Sequence, residues 1–218
     1  MKKIVIFICI FICFKNSVFC KGIIDSYYNY SNNEGFIQIT EYKENAVYVI
    51  VPGSIDGAPV VSIDNFAFCG FLLSGIVLKL GYNIEDNSVF KIYNPISSIE
   101  IPATVTSIGD GAFMENNLTN IAIPCSVAVI GDAAFYGNRL TDIVIPNSVV
   151  SIGSYAFSNN QLGSVTIPDS VTHIGTQAFR GNKLSRVVLP ESVICIGEKA
   201  FDDDVEIVIK TNSEKFEN

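Results

Sequence analysis

Apolar and polar positions between residues 101 and 201 repeat with a fixed step of 22 residues. The dipeptides Ile-Gly and Ala-Phe each occur five times at this spacing, and columns of Pro, Asn, Ser and Leu keep the same register. Each unit reads L-x-x-I-x-I-P-x-S-V-x-x-I-G-x-x-A-F-x-x-N-x. Repeats of about 20–50 residues are typical of solenoids, in which stacked units share one continuous core. The pattern therefore predicts a β-rich solenoid with one coil per repeat.

Each unit contains an alternating stretch that predicts a short β-strand. In the second unit Ile121 and Ile123 point inward by this alternation, and Pro124 ends the strand because proline cannot donate to a ladder. We expect equivalent parallel strands, stacked in one sheet, near 120–123, 142–145, 164–167 and 186–189.

The remaining columns predict turns and internal hydrogen bonds. Asp110 and its equivalents follow the repeated Ile-Gly and are helix-capping residue types, which predicts one short helical turn at each Ala-Phe. The column of Asn138 is expected to face inward, with its amide bonded to the backbone of the adjacent turn. The column of Ser126 is predicted to bond within the turn after proline.

The repeat decays toward the N-terminus. Phe36–Ile39 and Ala46–Ile50 alternate around a polar 43–45 segment and predict an N-terminal β-hairpin cap. Residues 21–35 read as a loose lead-in, and Val89-Phe90 reads as a degenerate Ala-Phe between Phe68 and Phe113. Gly75–Lys91 is the least regular stretch, and a loop there is the alternative. The leucine-rich repeat domain is assigned to 36–210, with its last strand at Val205–Ile209 and a polar tail at 211–218.

The first twenty residues predict export. Lys2 and Lys3 precede an apolar run of 11 residues, which suits a signal peptide and is shorter than the roughly 20 residues of a membrane span. Residues 1–20 are therefore assigned as a signal peptide cut after Cys20. The alternatives are a lipid anchor on Cys20 and a buried core segment. No later stretch is apolar enough to span a bilayer.

Charge and composition exclude several classes of function. The net charge is -8, and residues 1–20 hold three Lys and no acid, so the remainder has 11 basic and 22 acidic residues. An acidic surface argues against a nucleic-acid partner. His173 is the sole histidine, no phosphate-binding or nucleophile motif occurs, and Asp202–Asp204 lack the spacing of a calcium loop. We therefore predict no enzyme activity, catalytic residues, cofactor or metal.

Three cysteines remain after the first twenty residues. No CxxC pair occurs among Cys69, Cys125 and Cys195, so a zinc site is unsupported. They are interpreted as small buried hydrophobic residues, with one disulfide kept as an alternative.

The unit IPxSVxxIGxxAFxxNxL resembles the BspA-like, or Treponema pallidum-type, leucine-rich repeat. The segment FIQITEYKENAVYVIVPGSIDGAPVVSIDNFAF also resembles the entry hairpin and first repeat of that family. The resemblance covers about residues 36–209 and departs from the family at 72–100. It implies a right-handed solenoid with a parallel sheet on the concave face. It also implies an exported bacterial protein, at the cell surface or secreted, that acts in adhesion or protein–protein interaction with host or extracellular-matrix ligands.

Strand residues that point away from the core are the candidate partner-binding positions on the concave face. They form one column of changing chemistry and one small, largely apolar column: Asn120, Asp142, Ser164 and Arg186, then Ala122, Val144, Thr166 and Val188. The main hypothesis is a surface interaction or adhesion module for a protein ligand. The alternative is a periplasmic structural or carrier protein that holds a hydrophobic peptide or lipid in a concave groove. An exposed end of the solenoid offers a route to self-association.

Overall fold

The structure, a computed structural model, describes residues 27–42, 48–69 and 95–210. The elements within these ranges are short β-strands joined by turns. In chain order they are β1 (Tyr28–Asn33), β2 (Phe36–Tyr42), β3 (Tyr48–Ile50), β4 (Ser54–Ile55), β5 (Ala58–Ile63), β6 (Ser98–Glu100), β7 (Ser107–Ile108), β8 (Val129–Ile130), β9 (Ser151–Ile152), β10 (His173–Ile174), β11 (Arg186–Leu189), β12 (Cys195–Ile196) and β13 (Glu206–Ile209).

One sheet runs the length of the solenoid. Its order is β1-β2-β5-β7-β8-β9-β10-β12, with β4 paired to β5 at the side. From β2 onward the main path is parallel, and β7 to β10 pair in strict register, Ile108 beside Ile130 and Ile130 beside Ile152. The parallel sheet is therefore confirmed, and its central strands lie just before each repeated glycine.

The stretch before each proline, predicted as the main strand, forms only scattered strand pairs in the described residues. Within the described residues, strand pairing along it consists of β3 with β6, a single bridge between Ala122 and Val144, and β11 with β13. The expected one sheet through 120–123, 142–145, 164–167 and 186–189 is wrong in this respect. The longer sheet uses the V-x-x-I stretch, which lacks strict alternation of apolar and polar residues, so alternation indicated the other stretch.

The core follows the repeated columns as predicted. The Leu, Ile, Val, Ala and Phe columns of the central coils are buried, and Phe113, Phe135, Phe157 and Phe179 are fully enclosed. Six phenylalanine rings stack from Phe68 to Phe201 with centroids 5.2–5.4 Å apart. Each ring therefore packs on the same residue of the neighbouring coils, and the core has no boundary between repeats.

The asparagine column ties adjacent coils together, as expected. Asn138 Oδ1 accepts from the backbone N–H of Leu118 at 3.1 Å, and its Nδ2 donates to the carbonyl of Phe113 at 2.8 Å. Nδ2 also donates to its own coil at Phe135 O, 3.1 Å away. Asn116, Asn160 and Asn182 repeat this arrangement. A buried amide with donor and acceptor satisfied adds stability instead of costing it.

The Ala-Phe segment forms tight turns, and the predicted helical turn is wrong. The residue before Ala has a left-handed backbone in every described repeat, as at Ala133 (φ 54) and Tyr155 (φ 59), which a right-handed helix excludes. Bonds from Ala134 N to Gly131 O and from Tyr136 N to Ala133 O close the turns. The Asp column does not cap a helix, because Asp132 Oδ1 accepts from the backbone N–H of Ser154 in the next coil, at 2.6 Å.

Serine and glycine columns allow the coils to approach closely. Ser148 Oγ donates to the carbonyl of Val127 in the preceding coil at 2.6 Å, so its bond runs between coils and not within its own turn as predicted. The turn after proline is closed by the backbone, Val149 N donating to Pro146 O. A Cβ added to Gly153 would lie 2.5 Å from the carbonyl carbon of Gly131, so this column must be glycine.

The N-terminal cap is a hairpin, but with different strands from those expected. β1 pairs antiparallel with β2 through a turn in which Glu34 and Gly35 have positive φ. β3 pairs in parallel with β6 and not with β2. The predicted lead-in 21–35 therefore contributes a strand, whereas the predicted 43–45 turn lies outside the described residues.

The coils on either side of the irregular region are in direct contact. Phe68 stacks directly on Phe113 at 5.4 Å, and β5 pairs with β7, although the two rings are 45 residues apart in sequence. Val89-Phe90 lies outside the described residues. The coils that contain Phe68 and Phe113 are therefore neighbours in the stack.

Candidate binding surface

The eight predicted binding residues all lie on one exposed side of the solenoid, named here the variable face: Asn120, Ala122, Asp142, Val144, Ser164, Thr166, Arg186 and Val188. The residues between them, such as Ile143 and Val187, are buried. Alternation along a strand puts successive side chains on opposite faces, and here it separates core from surface as predicted. Because the coils are stacked, side chains from four repeats lie side by side.

The first column of the variable face changes chemistry from coil to coil. Asn120 is neutral, Asp142 acidic, Ser164 a hydroxyl and Arg186 basic. Asp142 Oδ1 accepts from the backbone N–H of Ile143 at 2.8 Å. Arg186 Nε lies 3.5 Å from Glu206 Oε2 in the last strand, and both side chains are exposed. The charges are therefore available at the surface, where such pairs are weak and can exchange partners.

The second column is small and largely apolar. Val144 is 75% exposed and Val188 is 43% exposed. Ala122 and Val144 form the bridge described above. Isolated exposed aliphatic residues are ordinary, but a row of them beside a charged row gives an interface-like surface.

The variable face extends further toward the N-terminus than sequence reasoning predicted. Tyr48 and Glu100 lie on the paired strands β3 and β6, and Glu100 stands 22 residues before Ala122. The Tyr48 hydroxyl donates to the Glu100 carboxylate, and this hydrogen bond raises the pKa of Tyr48. The 22-residue step could have identified Glu100, whereas Tyr48 precedes the regular repeat and has no such signal.

The opposite side, along β7 to β10 and β12, also exposes apolar residues. Val129 and Val150 are each 46% exposed, and Ile194 is 79% exposed. We name this side the ladder face. It was not predicted as a candidate surface, although its variable position before each Ile-Gly was visible in the sequence.

Residues with potential chemistry do not assemble into a site. His173 is exposed, with Nδ1 2.8 Å from Thr172 Oγ1. Asp202 bonds to the backbone N–H of Gly181, and Asp203 lies near Lys199, as expected for a solvated turn. Within the described part of the chain no three His, Cys, Asp or Glu side chains converge as metal ligands.

The cysteines differ from the prediction in their exposure. Cys69 is buried as expected, whereas Cys125 and Cys195 are exposed, and no disulfide joins any two of these three described cysteines. Their interpretation as uniformly buried small residues is wrong for the latter two. Among residues 27–42, 48–69 and 95–210, no helix has the length and apolarity needed to cross a membrane.

Comparison with known proteins is consistent with this architecture. A family model described as BspA type leucine-rich repeat region, in six copies, matches residues 49–141 and 128–217. The solved leucine-rich repeat protein of T. pallidum is 25% identical with a TM-score of 0.58, over 84% of this chain and 83% of that one. The pneumococcal vaccine antigen PcpA is 21% identical with a TM-score of 0.55, over 84% of this chain but only 46% of that one. No curated protein matches the chain.

Proposed function

The chain belongs to the BspA-type leucine-rich repeat family, and on this premise we propose that it is an exported protein that binds another protein through the variable face. The observation that carries the proposal is the alignment of eight exposed side chains from four coils over one continuous core. A solenoid of this kind presents an extended surface whose residues can vary without disturbing the fold.

The two columns of the variable face make different contributions to binding. The apolar column of Val144 and Val188 supplies area that a partner removes from water, worth about 25 cal/mol per Å². The column that contains Asp142 and Arg186 supplies charges of both signs, which set orientation and specificity more than affinity. This combination fits a folded protein partner with complementary charges.

A protein partner is favoured over a lipid or a hydrophobic peptide held in a groove. A side chain that is 75% exposed, such as Val144, projects from the surface instead of lining an enclosed cavity. Arg186 and Asp142 flank this column, and a lipid chain would offer them no hydrogen-bonding partners. We therefore do not retain the carrier function.

The ligand class and location rest on the family and on the N-terminal sequence. The basic residues and apolar run in 1–20 support export, and the family resemblance supports a host or extracellular-matrix protein as the ligand of a bacterial cell-surface or secreted protein. Protease accessibility on intact cells tests the location. Protection of the chain until the cells are opened would contradict a surface position.

Binding is tested by immobilising the full-length chain, identifying the captured ligand, and titrating that ligand against variants. Val144→Glu and Arg186→Glu should each weaken binding by about tenfold or more while the melting temperature changes little, because both side chains are exposed.

The matched control for Val144→Glu is Val150→Glu. It is the same substitution at an exposed valine six residues later, on the ladder face. Lys183→Glu is the charge-reversal control for Arg186→Glu. Loss of binding by the Val150 variant with retention by the Val144 variant would move the interface to the ladder face and refute the proposal.

A further inference from the structure

The last coil of the solenoid exposes residues that earlier coils bury. Ile196 is 47% exposed, whereas Ile174 at the same repeat position is 1% exposed. On the other side of the coil, Ile207 and Ile209 of β13 are 42% and 63% exposed, whereas their neighbours in β11 are buried. Ile196, Ile207 and Ile209 therefore expose apolar area at the end of the stack, and we name these three residues the end patch.

The end patch includes a strand with one unpaired edge. β13 is paired in parallel with β11, and within the described residues no strand lies along its other side. At the opposite end of the molecule, β1 covers β2 by antiparallel pairing. Free strand edges with exposed aliphatic residues attract a further strand, and natural proteins usually cover or charge them.

The sequence of this edge is complementary to itself. We propose that a second copy of the chain docks antiparallel on β13, about a two-fold axis at Val208, and joins two solenoids end to end. In this register Glu206 of each copy faces Lys210 of the other, and Ile207 faces Ile209. Opposite charges directly across an antiparallel pair are stabilising, and each pair occurs twice because a two-fold interface is used by both copies.

Other registers lose this complementarity. Parallel pairing in register would place Glu206 against Glu206 and Lys210 against Lys210, and like charges directly opposite are destabilising. A shift of the two-fold axis to Ile207 would place Lys210 opposite Asp204 but Glu206 opposite Val208, and a shift to Ile209 would leave both charges without an opposite partner. The observed pattern acid, three aliphatic residues, base therefore favours one arrangement of two identical edges.

Glu206 and Lys210 are exposed, and each can also contact a second copy of the chain. Glu206 is paired with Arg186 at 3.5 Å and Lys210 with Asp169 at 4.0 Å, and all four side chains are exposed. Exposed ion pairs contribute little to stability, so sharing them with a second copy costs little. Stacking of the two ends would also bring Ile196 of the same coil toward its counterpart, which removes more apolar area from water.

The association is tested by sedimentation of the full-length chain over a range of micromolar concentrations at physiological salt. The parent chain should be in monomer–dimer equilibrium. Glu206→Lys and Lys210→Glu should each weaken the dimer by about tenfold or more, since each replaces two attractive contacts by repulsive ones. An equimolar mixture of these two variants should dimerise like the parent. One copy then carries lysine at both positions and the other carries glutamate at both, so every charge across the interface again faces its opposite.

Matched controls separate the edge from the rest of the surface. Asp142→Lys and Lys183→Glu carry the same charge reversals elsewhere and should leave the dimer intact. Ile209→Asp should abolish it, whereas Val144→Asp, at a similarly exposed aliphatic residue in a central coil, should not.

The proposal is overturned by a parent chain that stays monomeric throughout. It is equally overturned by a dimer that survives both charge variants and Ile209→Asp, or by a mixture that fails to restore dimerisation while each variant retains the parent's melting temperature.

Discussion

Ile174 in the fourth regular coil and Ile196 in the last coil occupy the same repeat position, yet the first is buried and the second is half exposed. The same contrast holds for the strands, because β11 has its inward residues enclosed while β13 leaves Ile207 and Ile209 in contact with water. The residue types are alike and the difference lies in the neighbours. A residue's burial here is set by whether coils lie on both sides of it.

This difference in burial indicates that stability in this fold comes mainly from contacts between coils. A central coil has two neighbours and the last coil has one described neighbour, so equal substitutions should have unequal effects. In repeat proteins stability is approximately a sum of unit and nearest-neighbour terms, which makes this expectation quantitative. Equal substitutions in a central coil and in the last coil test this expectation.

Truncation of the stacked phenylalanines should show the largest contrast. Phe157 lies between Phe135 and Phe179, whereas Phe201 stacks on one described ring, that of Phe179. Phe157→Ala should cost about 3–5 kcal/mol of unfolding free energy through lost burial and a cavity, and Phe201→Ala about half as much because water can fill the site. Urea denaturation at low protein concentration measures both. Equal losses would mean that the last coil is covered in solution.

Substitution of the close-contact glycines should follow. An added Cβ at Gly153 would lie 2.5 Å from Gly131 C and Asp132 Oδ1. Gly153→Ala should therefore cost about 3 kcal/mol, the upper end for overpacking. Gly197→Ala meets Thr176 N just as closely, at 2.2 Å, but the last coil can shift outward and should lose less.

Gly163→Ala is the control for the glycine experiment. An added Cβ there has nothing within 4 Å, and its φ lies outside the left-handed region. It should be neutral or stabilise by about 0.4–1 kcal/mol through the unfolded state. A destabilisation equal to that of Gly153→Ala would show that backbone conformation, not coil contact, sets the cost.

Removal of the asparagine bridges should give a smaller contrast. Asn160→Ala leaves the N–H of Leu140 without its acceptor and removes one of the two amide donors to the carbonyl of Phe135, which should cost about 1–3 kcal/mol. Asn182 makes the same bonds but is half-buried, so water can replace part of the loss. Thermal melts measure the difference, and the exposed Gln161→Ala should leave the melting temperature unchanged.

The smallest effect concerns charge between the coils. Burial raises the pKa of Asp132, the hydrogen bond from Ser154 opposes this, and the charge of Asp110 adds to it. The ionised carboxylate is therefore less favourable in the folded state than in the unfolded chain, and protonation as the pH falls through the folded pKa relieves this cost. In the first described coil an uncharged side chain makes the equivalent hydrogen bond. Asn65 Oδ1 accepts from the backbone N–H of Asp110 at 2.8 Å.

Asp132→Asn should thus stabilise the protein near neutral pH by less than about 1 kcal/mol, because the site is only half-buried and water screens the charge. The advantage over the parent should disappear in acid, where Asp132 is protonated. Melting temperatures across a pH series test this, with the exposed Asp142→Asn as control. An advantage that stays constant with pH would exclude the electrostatic cause.

Much of this fold could be predicted because residue types at equivalent positions recur every 22 residues. The buried Phe and Asn columns and the exposed Asp142 and Val144 all follow from periodicity. Periodicity could not tell which of the two extended stretches of a coil forms the longer sheet, since that depends on hydrogen bonds between coils. It also could not find the left-handed residues, because Ala133, Tyr155 and Gln177 occupy positions where glycine would have been the signal.

The irregular parts were predicted less well for a different reason. β1 has the polar sequence YNYSNN, which lacks the alternation of a half-buried strand, so its pairing with β2 depends on the turn at Gly35. The direct contact of Phe68 with Phe113 depends on a ring stack that sequence spacing concealed. For the candidate site, exposure was predictable from alternation, whereas a ligand leaves no periodic signal.

The asparagine bridges described above join each coil to the one before it through the same atoms. Asn116 therefore meets Phe68, 48 residues away, through the same bond that Asn138 makes with Phe113, 25 residues away. The asparagine bond depends on the backbone of the adjoining coil and not on the number of residues that connect the two coils. A gene encoding such a protein can gain or lose whole repeats, or accept an insertion between them, and still specify junctions that close.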